Sequence, residues 1–221
     1  MMNCTQIDTA QHTAILGMGV SIWNQWRASE PLTVPNLQNA NLSGFSLENA
    51  NLAKANLRGA CLDSAYLYDA DFQEADLRGA SLNRAVLIGA NFCKANLADA
   101  TLEHAYLAQS DLSHANLTGA RLQSADLQSA LMTKTILANA RLANAEMTES
   151  FGLTSLQIQS ATDGHLAFLQ DALKCWPPST TVANRKGEVA KASPQKTAQP
   201  KVLSFGRRTR VSGQTLAGTP V

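Results

Sequence analysis

The stretch Ala50-Asn51-Leu52-Ala53-Lys54-Ala55-Asn56-Leu57-Arg58-Gly59-Ala60 states one five-residue rule twice: a small residue, a polar one, a central Leu, then two more polar or small positions. From Pro35 to Glu149 the rule runs for 23 blocks without insertion or deletion. The centre is Leu in 19 blocks, with Phe72, Phe92, Met132 and Met147 in the rest. The small site is Ala in 19, with Pro35, Phe45, Ser110 and Thr135 as exceptions. A helix turning about 100° per residue would spread such centres around its whole circumference. A long strand would send successive centres to opposite faces, because its side chains alternate with period two. The pattern fits a chain that turns a corner in every block. The small residue and the Leu, two apart on a short extended segment, then both point inward, and the last two residues make the turn.

The outward residues repeat every twenty. Tyr66, Val86 and Tyr106 recur at this spacing, as do Tyr68 and Ile88, the glycines 59, 79 and 119, and the row Asn56, Asp76, Asn96, Asn116. Four blocks per coil place each set on one face, in rows about 4.8 Å apart. Twenty-three blocks make nearly six coils, a rod about 28 Å long. Leu57, Leu77, Leu87, Leu97 and Leu117 are expected in its apolar axis.

Blocks such as Ala50-Asn51-Leu52-Ala53-Lys54 and Ala75-Asp76-Leu77-Arg78-Gly79 resemble the A(D/N)LXX signature of the pentapeptide-repeat family. The resemblance covers about half the chain. It implies an all-β solenoid, a right-handed quadrilateral β-helix, and leaves function open, because one fold hosts many roles.

A solenoid exposes apolar axis and strand edges at both ends, so both flanks are expected to cover it. Residues 1–34 read as an N-terminal helical cap. Thr9 to Ala28 carries Ile15, Leu16, Met18, Ile22, Trp23 and Trp26 at largely helical spacing and ends before Pro31. Trp23-Asn24-Gln25-Trp26-Arg27 resembles the helix ahead of the coils in some bacterial, notably cyanobacterial, members of the family. The apolar run Ala14 to Trp23 is too short for a membrane span, and no Lys or Arg precedes it as in a signal peptide. Residues 150–178 read as a C-terminal cap, with Asp163 as N-cap of a helix bearing Leu166, Leu169, Leu173 and Trp176. Residues 179–221 read as a disordered basic tail. From Pro177 onward there are eight Lys and Arg against Glu188 alone, whereas the coil blocks hold twelve acids and eight bases.

Outward positions on a coil should be polar, yet Tyr66, Tyr68, Val86, Ile88 and Tyr106 stack on one face and include every Tyr of the chain. An exposed aromatic patch marks a contact surface, and Tyr is enriched in interface hot spots. This face is the expected site for an unidentified protein partner or for self-association. A Tyr ladder that merely stabilises its own strands, or a flank lying over it, are the structural alternatives. The tail cluster Arg207, Arg208, Arg210 is the one place where nucleic acid or an anionic membrane surface could bind. Binding to DNA gyrase by DNA mimicry, known for some family members, relies on a strongly acidic surface. Here Lys54, Lys94, Arg58 and Arg78 interrupt the negative charge. No catalytic, metal or cofactor site is expected, and no small-molecule substrate, because a convex coil gives rows rather than a cleft. His104 and His114 differ by ten residues and fall on opposed faces; so do Cys61 and Cys93. No CxxC or HExxH spacing occurs. Four scattered Cys without a signal peptide point to a reducing cytoplasm.

Overall fold

The computed structural model describes residues 9–162. From Asn36 to Phe151 parallel bridges join each residue before a Leu centre to the one twenty positions on, beginning with Asn36↔Asn56 and ending with Leu131↔Phe151. Four blocks therefore close each coil. Side 1 carries the row through Asn56 and Asp76, side 2 that through Cys61 and Ser81, side 3 that through Tyr66 and Val86, and side 4 that through Asp71 and Asn91. The sides are shorter than the expected extended segments. Each contributes a single bridge residue, because two of every five residues are spent on the corner.

The corner explains the polar residue that precedes each centre. In the block of Asn51, Ala55 N–H donates to Leu52 O (3.1 Å), closing a four-residue turn whose third residue, Lys54, has φ 59°. A single left-handed residue at that place is the geometry of a type II turn. The Asn51 side chain braces the turn by accepting the Ala53 N–H at 3.2 Å. Asp71, Asp76, Asn91, Asn96, Asp111 and Asn116 repeat this local bond in their own blocks. An Asx side chain satisfying a backbone donor two residues on is what favours Asn and Asp at turns. Between coils, Asn91 Nδ2 donates to Asp71 Oδ1 (3.0 Å) and Asn116 Nδ2 to Asn96 Oδ1 (3.2 Å), so rows of Asn and Asp also tie neighbouring coils together.

Inside, Leu and Ala interdigitate. Leu57, Leu77, Leu87, Leu97 and Leu117 are all fully buried. Phe72 and Phe92, one coil apart, stack with ring centroids at 4.7 Å. Thr135 in an Ala position stays satisfied by donating Oγ1 to Leu112 O at 2.8 Å.

The N-terminal segment is two helices, not the single one that the apolar spacing predicts: α1 (Thr9–Gly17) and α2 (Val20–Ser29). The break falls at Gly19, whose φ of 109° is open to glycine and closed to most residues. α2 lies along the first coil and replaces missing backbone bonds. In the interior, each side-4 rung makes three bonds to the coil before it: Leu52 N–H to Asp71 O, Lys54 N–H to Gln73 O, and Asp71 N–H to Ala50 O. On the first coil, Trp23 Nε1 donates to Asn51 O (2.8 Å), Arg27 Nη2 donates to Ala53 O (2.9 Å), and Asn24 Oδ1 accepts the Asn51 N–H (2.8 Å). Three side chains stand in, one for one, for a strand. On side 1, Nδ1 of the buried His12 accepts the Asn36 N–H in the same manner (3.2 Å).

After Phe151 the short α3 (Ser155–Gln159) begins with a capping box between Thr154 and Gln157. Gln157 Nε2 donates to Thr135 O at 2.6 Å, and Thr162 N–H to Ala140 O at 2.9 Å. The expected helix from Asp163 to Trp176 and the tail with Arg207, Arg208 and Arg210 lie outside the described residues.

Candidate functional site

The residues that the twenty-residue period predicts to share a face do so. The side-3 row runs Ser46↔Tyr66↔Val86↔Tyr106↔Asp126↔Glu146 through successive parallel bridges. Tyr66 is 47% exposed, Tyr68 41% and Tyr106 50%, whereas Val86 and Ile88 between them are half-buried. The aliphatic residues form a floor, and the phenol rings stand out at its two ends. Among the described residues the ring pairs are Phe72 with Phe92 and the His12, Trp23, Trp26 group. Tyr66 and Tyr106 are separated by the Val86 rung, which sets them two coils apart. The backbone beneath is fixed on both edges: Tyr66 N–H donates to Phe45 O (2.9 Å) in the coil before, and Leu67 N–H donates to Val86 O (2.7 Å) in the coil after.

The other sides are mixed in charge, and each holds at least one ion pair. Arg78 grips Asp76 on side 1 with Nε to Oδ1 at 2.8 Å and Nη2 to Oδ2 at 2.6 Å, and this hydrogen bonding holds the Asp76 carboxyl below its ordinary pKa. Arg121 Nε meets Glu103 at 3.0 Å on side 2. On side 4, Glu74 lies between Lys54 (3.8 Å) and Lys94 (4.0 Å).

The family model for pentapeptide repeats matches residues 36–67, 65–97 and 95–133, with eight copies. Residues 36–133 carry the repeats of the pentapeptide-repeat family. The family's known structures are right-handed quadrilateral β-helices. Solved structures similar to this pentapeptide-repeat chain include Rfr23 from the cyanobacterium Cyanothece 51142, with 24% identity, TM-score 0.41, and coverage of 57% of this chain and 91% of that one. QnrB1, a plasmid-mediated fluoroquinolone resistance protein, is 16% identical with TM-score 0.48, covering 57% of this chain and 73% of that one. A thylakoid-lumen pentapeptide-repeat protein from Arabidopsis thaliana is 25% identical with TM-score 0.30, covering 57% and 72%. Among curated proteins none matches the chain.

In this pentapeptide-repeat protein Asp63, Ser64, Asn83, Arg84, Glu103 and His104 line a polar groove of about 410 Å³ on side 2, but the histidines and the free thiols do not converge. His104 and His114 occupy corners of sides 2 and 4, and the free thiols of Cys61 and Cys93 belong to the same opposed pair of sides. Among the described residues no group of three or more His, Cys, Asp or Glu is placed to hold a metal ion. None of the helices described there is long and apolar enough to cross a membrane.

A second apolar surface escaped the sequence reading. In the last coils the Asn and Asp rows give way: Asp111 is followed by Leu131 and Phe151 on side 4, and Asn116 by Ile136 on side 1. Leu131, Ile136, Phe151 and Leu156 are all exposed. Ile136, Ala138 and Leu156 line a groove of about 450 Å³ against α3. The signal was present as a change of residue type within a row, legible only once the rows are aligned at twenty.

Proposed function

We propose that this pentapeptide-repeat protein is a non-enzymatic protein-interaction module. Its right-handed β-helix of about six coils, capped at both ends by the flanking segments, offers side 3 to a protein partner. The observation that carries the reading is the ladder Tyr66, Val86, Tyr106, with Tyr68 and Ile88 beside it: an aromatic and aliphatic strip exposed on a backbone held by hydrogen bonds on both edges. Surface of this composition is enriched in hot spots, because Tyr gives large contact area with few rotatable bonds to immobilise. A rigid ladder lowers the entropic cost of binding further.

The test is affinity capture with the full chain and a Tyr66→Ser, Ile88→Ser, Tyr106→Ser variant. All three side chains point away from the axis, so the circular dichroism spectrum of the variant matches that of the wild type. Loss of a captured protein partner with an unchanged spectrum supports the reading. Equal capture by both proteins refutes it. A parallel chain ending at Pro178 separates partners of side 3 from any that depend on the tail.

A further inference from the structure

The acidic surplus of the coils is not spread around them. Over the outward positions of residues 35–149, side 1 carries two acids and two bases, side 2 two acids and three bases, and side 4 three of each. Side 3 carries five acids, Glu48, Asp69, Asp126, Glu146 and Glu149, and no base. The net −4 of the repeat blocks is therefore the sum of three nearly balanced sides and one at −5. Pairing follows the same division. The four ion pairs among the described residues lie on sides 1, 2 and 4, and the side-3 carboxylates join none. Their hydrogen-bond contacts stay on side 3: Asp126 accepts the Gln128 N–H, Glu146 the Thr148 hydroxyl, and Glu149 the Ser129 hydroxyl of the coil before.

The placement is as informative as the count. Glu48 and Asp69 lie in the first two coils and Asp126, Glu146 and Glu149 in the last two; Tyr66 and Tyr68 share a coil with Asp69, and the Val86, Ile88 and Tyr106 rungs occupy the two coils between. At about 4.8 Å per coil, the strip from Glu48 to Glu146 measures about 24 Å. That is the span of about seven residues of extended peptide at 3.3 Å each.

Resting on the proposed role of side 3 as the docking face, we infer that its occupant is a basic, apolar-centred peptide segment of a protein partner, with Arg or Lys at both ends of a short run of large apolar side chains. Unpaired carboxylates at both ends of the strip attract the cations, and the exposed phenol rings add cation–π contact to those nearest the centre. The apolar floor of Val86 and Ile88 takes the middle. The same negative charge repels nucleic acid and anionic lipid from this side. A gap of two coils without charge also distinguishes it from the evenly spaced charge of a nucleic-acid backbone.

Fluorescence anisotropy with the labelled peptide Arg-Arg-Leu-Phe-Leu-Arg-Arg tests the inference on the full chain. The wild type is expected to bind it, with affinity falling as salt is raised. The peptides Glu-Glu-Leu-Phe-Leu-Glu-Glu and Arg-Arg-Ser-Gly-Ser-Arg-Arg are expected to bind at least tenfold more weakly. A Glu48→Gln, Asp126→Asn, Glu146→Gln, Glu149→Gln variant should lose tenfold or more and most of its salt dependence, while Asp76→Asn with Asp99→Asn on side 1 should change nothing. Equal binding of the Arg and Glu peptides, or an unaffected four-carboxylate variant, overturns the inference. If a captured partner is lost with the Tyr variant but kept by the carboxylate variant, the docking face stands and its charge selectivity falls. A wild-type dimer in sedimentation, abolished by Tyr66→Ser with Tyr106→Ser, gives the face to a second copy and likewise overturns it.

Discussion

A neutral His12 accepts the Asn36 N–H, and a protonated Nδ1 cannot. The ring is buried against Trp26 at 4.9 Å, and Nε2 has no hydrogen-bond partner. Burial, reinforced by the Arg27 charge, lowers its pKa from 6.5. Between the lowered folded value and the unfolded 6.5 the unfolded segment binds more protons, so stability rises with pH in that window. Docking of α1 and α2 is accordingly complete above about pH 6.5, weakens as pH falls through the window, and loses no more from this group below it. In a Trp176→Phe background the fluorescence of Trp23 and Trp26 should report this loss on acidification. His12→Gln should flatten the pH profile; an unaltered profile would remove His12 from the effect. At the same scale lies the least legible feature of the coils. All 23 corner positions from residue 39 to residue 149 have positive φ, and eighteen of them are not glycine. Lys54, Glu74, Arg84 and His104 accept a conformation that costs L-residues roughly 1 to 2 kcal/mol. Propensity argues against these residues there, so local sequence could not announce the corner. At residue 89 glycine has a further reason, since a Cβ there would collide with the Asp69 carboxylate one coil below.

Among the elements, α2 does the least expected work. Its apolar spacing was legible, and so was the segment Trp23-Asn24-Gln25-Trp26-Arg27. That these side chains reproduce the bonds of an absent strand was not, because the match depends on where three of them meet the edge of a coil some 25 residues downstream. Asn24 is the tightest mimic: its carboxamide accepts from Asn51 N–H and donates to Asn49 O at 2.9 Å, as a peptide group does. Asn24→Ala leaves both backbone groups without a protein partner, at a cost of about 1 to 3 kcal/mol. The damage should stay local, because coils are stabilised chiefly by their nearest neighbours. Hydrogen exchange should therefore quicken at the Asn51 amide and its first-coil neighbours and stay slow at the Leu97 amide, more than two coils deeper in the stack. Uniform acceleration along the stack would show that α2 governs the whole cooperative unit. For the Tyr strip the situation is reversed: its alignment was legible because the pairing register is written in the sequence as a period of twenty. The half-burial of Val86 and Ile88 was not, since it depends on the side chains of adjacent coils.

At the scale of the coil stack, two periods coexist and can be separated by experiment. The core obeys five: every block supplies a buried centre and, with the exceptions noted, a small partner, so any block can occupy any side. The surface obeys twenty, because only every fourth block returns to the same side. Deleting residues 96–100 removes one block and leaves the Phe72–Phe92 stack intact. The core period continues across the junction, so the chain should still form a paired coil, with the β-type circular dichroism spectrum preserved and a lower melting temperature. Every downstream residue, however, moves by one side. Tyr106, Asp126, Glu146 and Glu149 leave Tyr66 and Val86 and take up side 2. Deleting residues 111–130 instead removes four blocks and restores the register, setting Glu146 where Asp126 had been, one rung beyond Tyr106. The twenty-residue deletion loses more buried surface and should be at least as destabilised, yet it keeps the aromatic strip with acid at both ends. Binding of the Arg-Leu-Phe-Leu-Arg peptide core should therefore survive the larger deletion and fall at least tenfold in the smaller one. If binding instead follows melting temperature, recognition depends on the amount of coil rather than on the assembled side. If it follows register, the five-residue period builds the solenoid and the twenty-residue period builds the site.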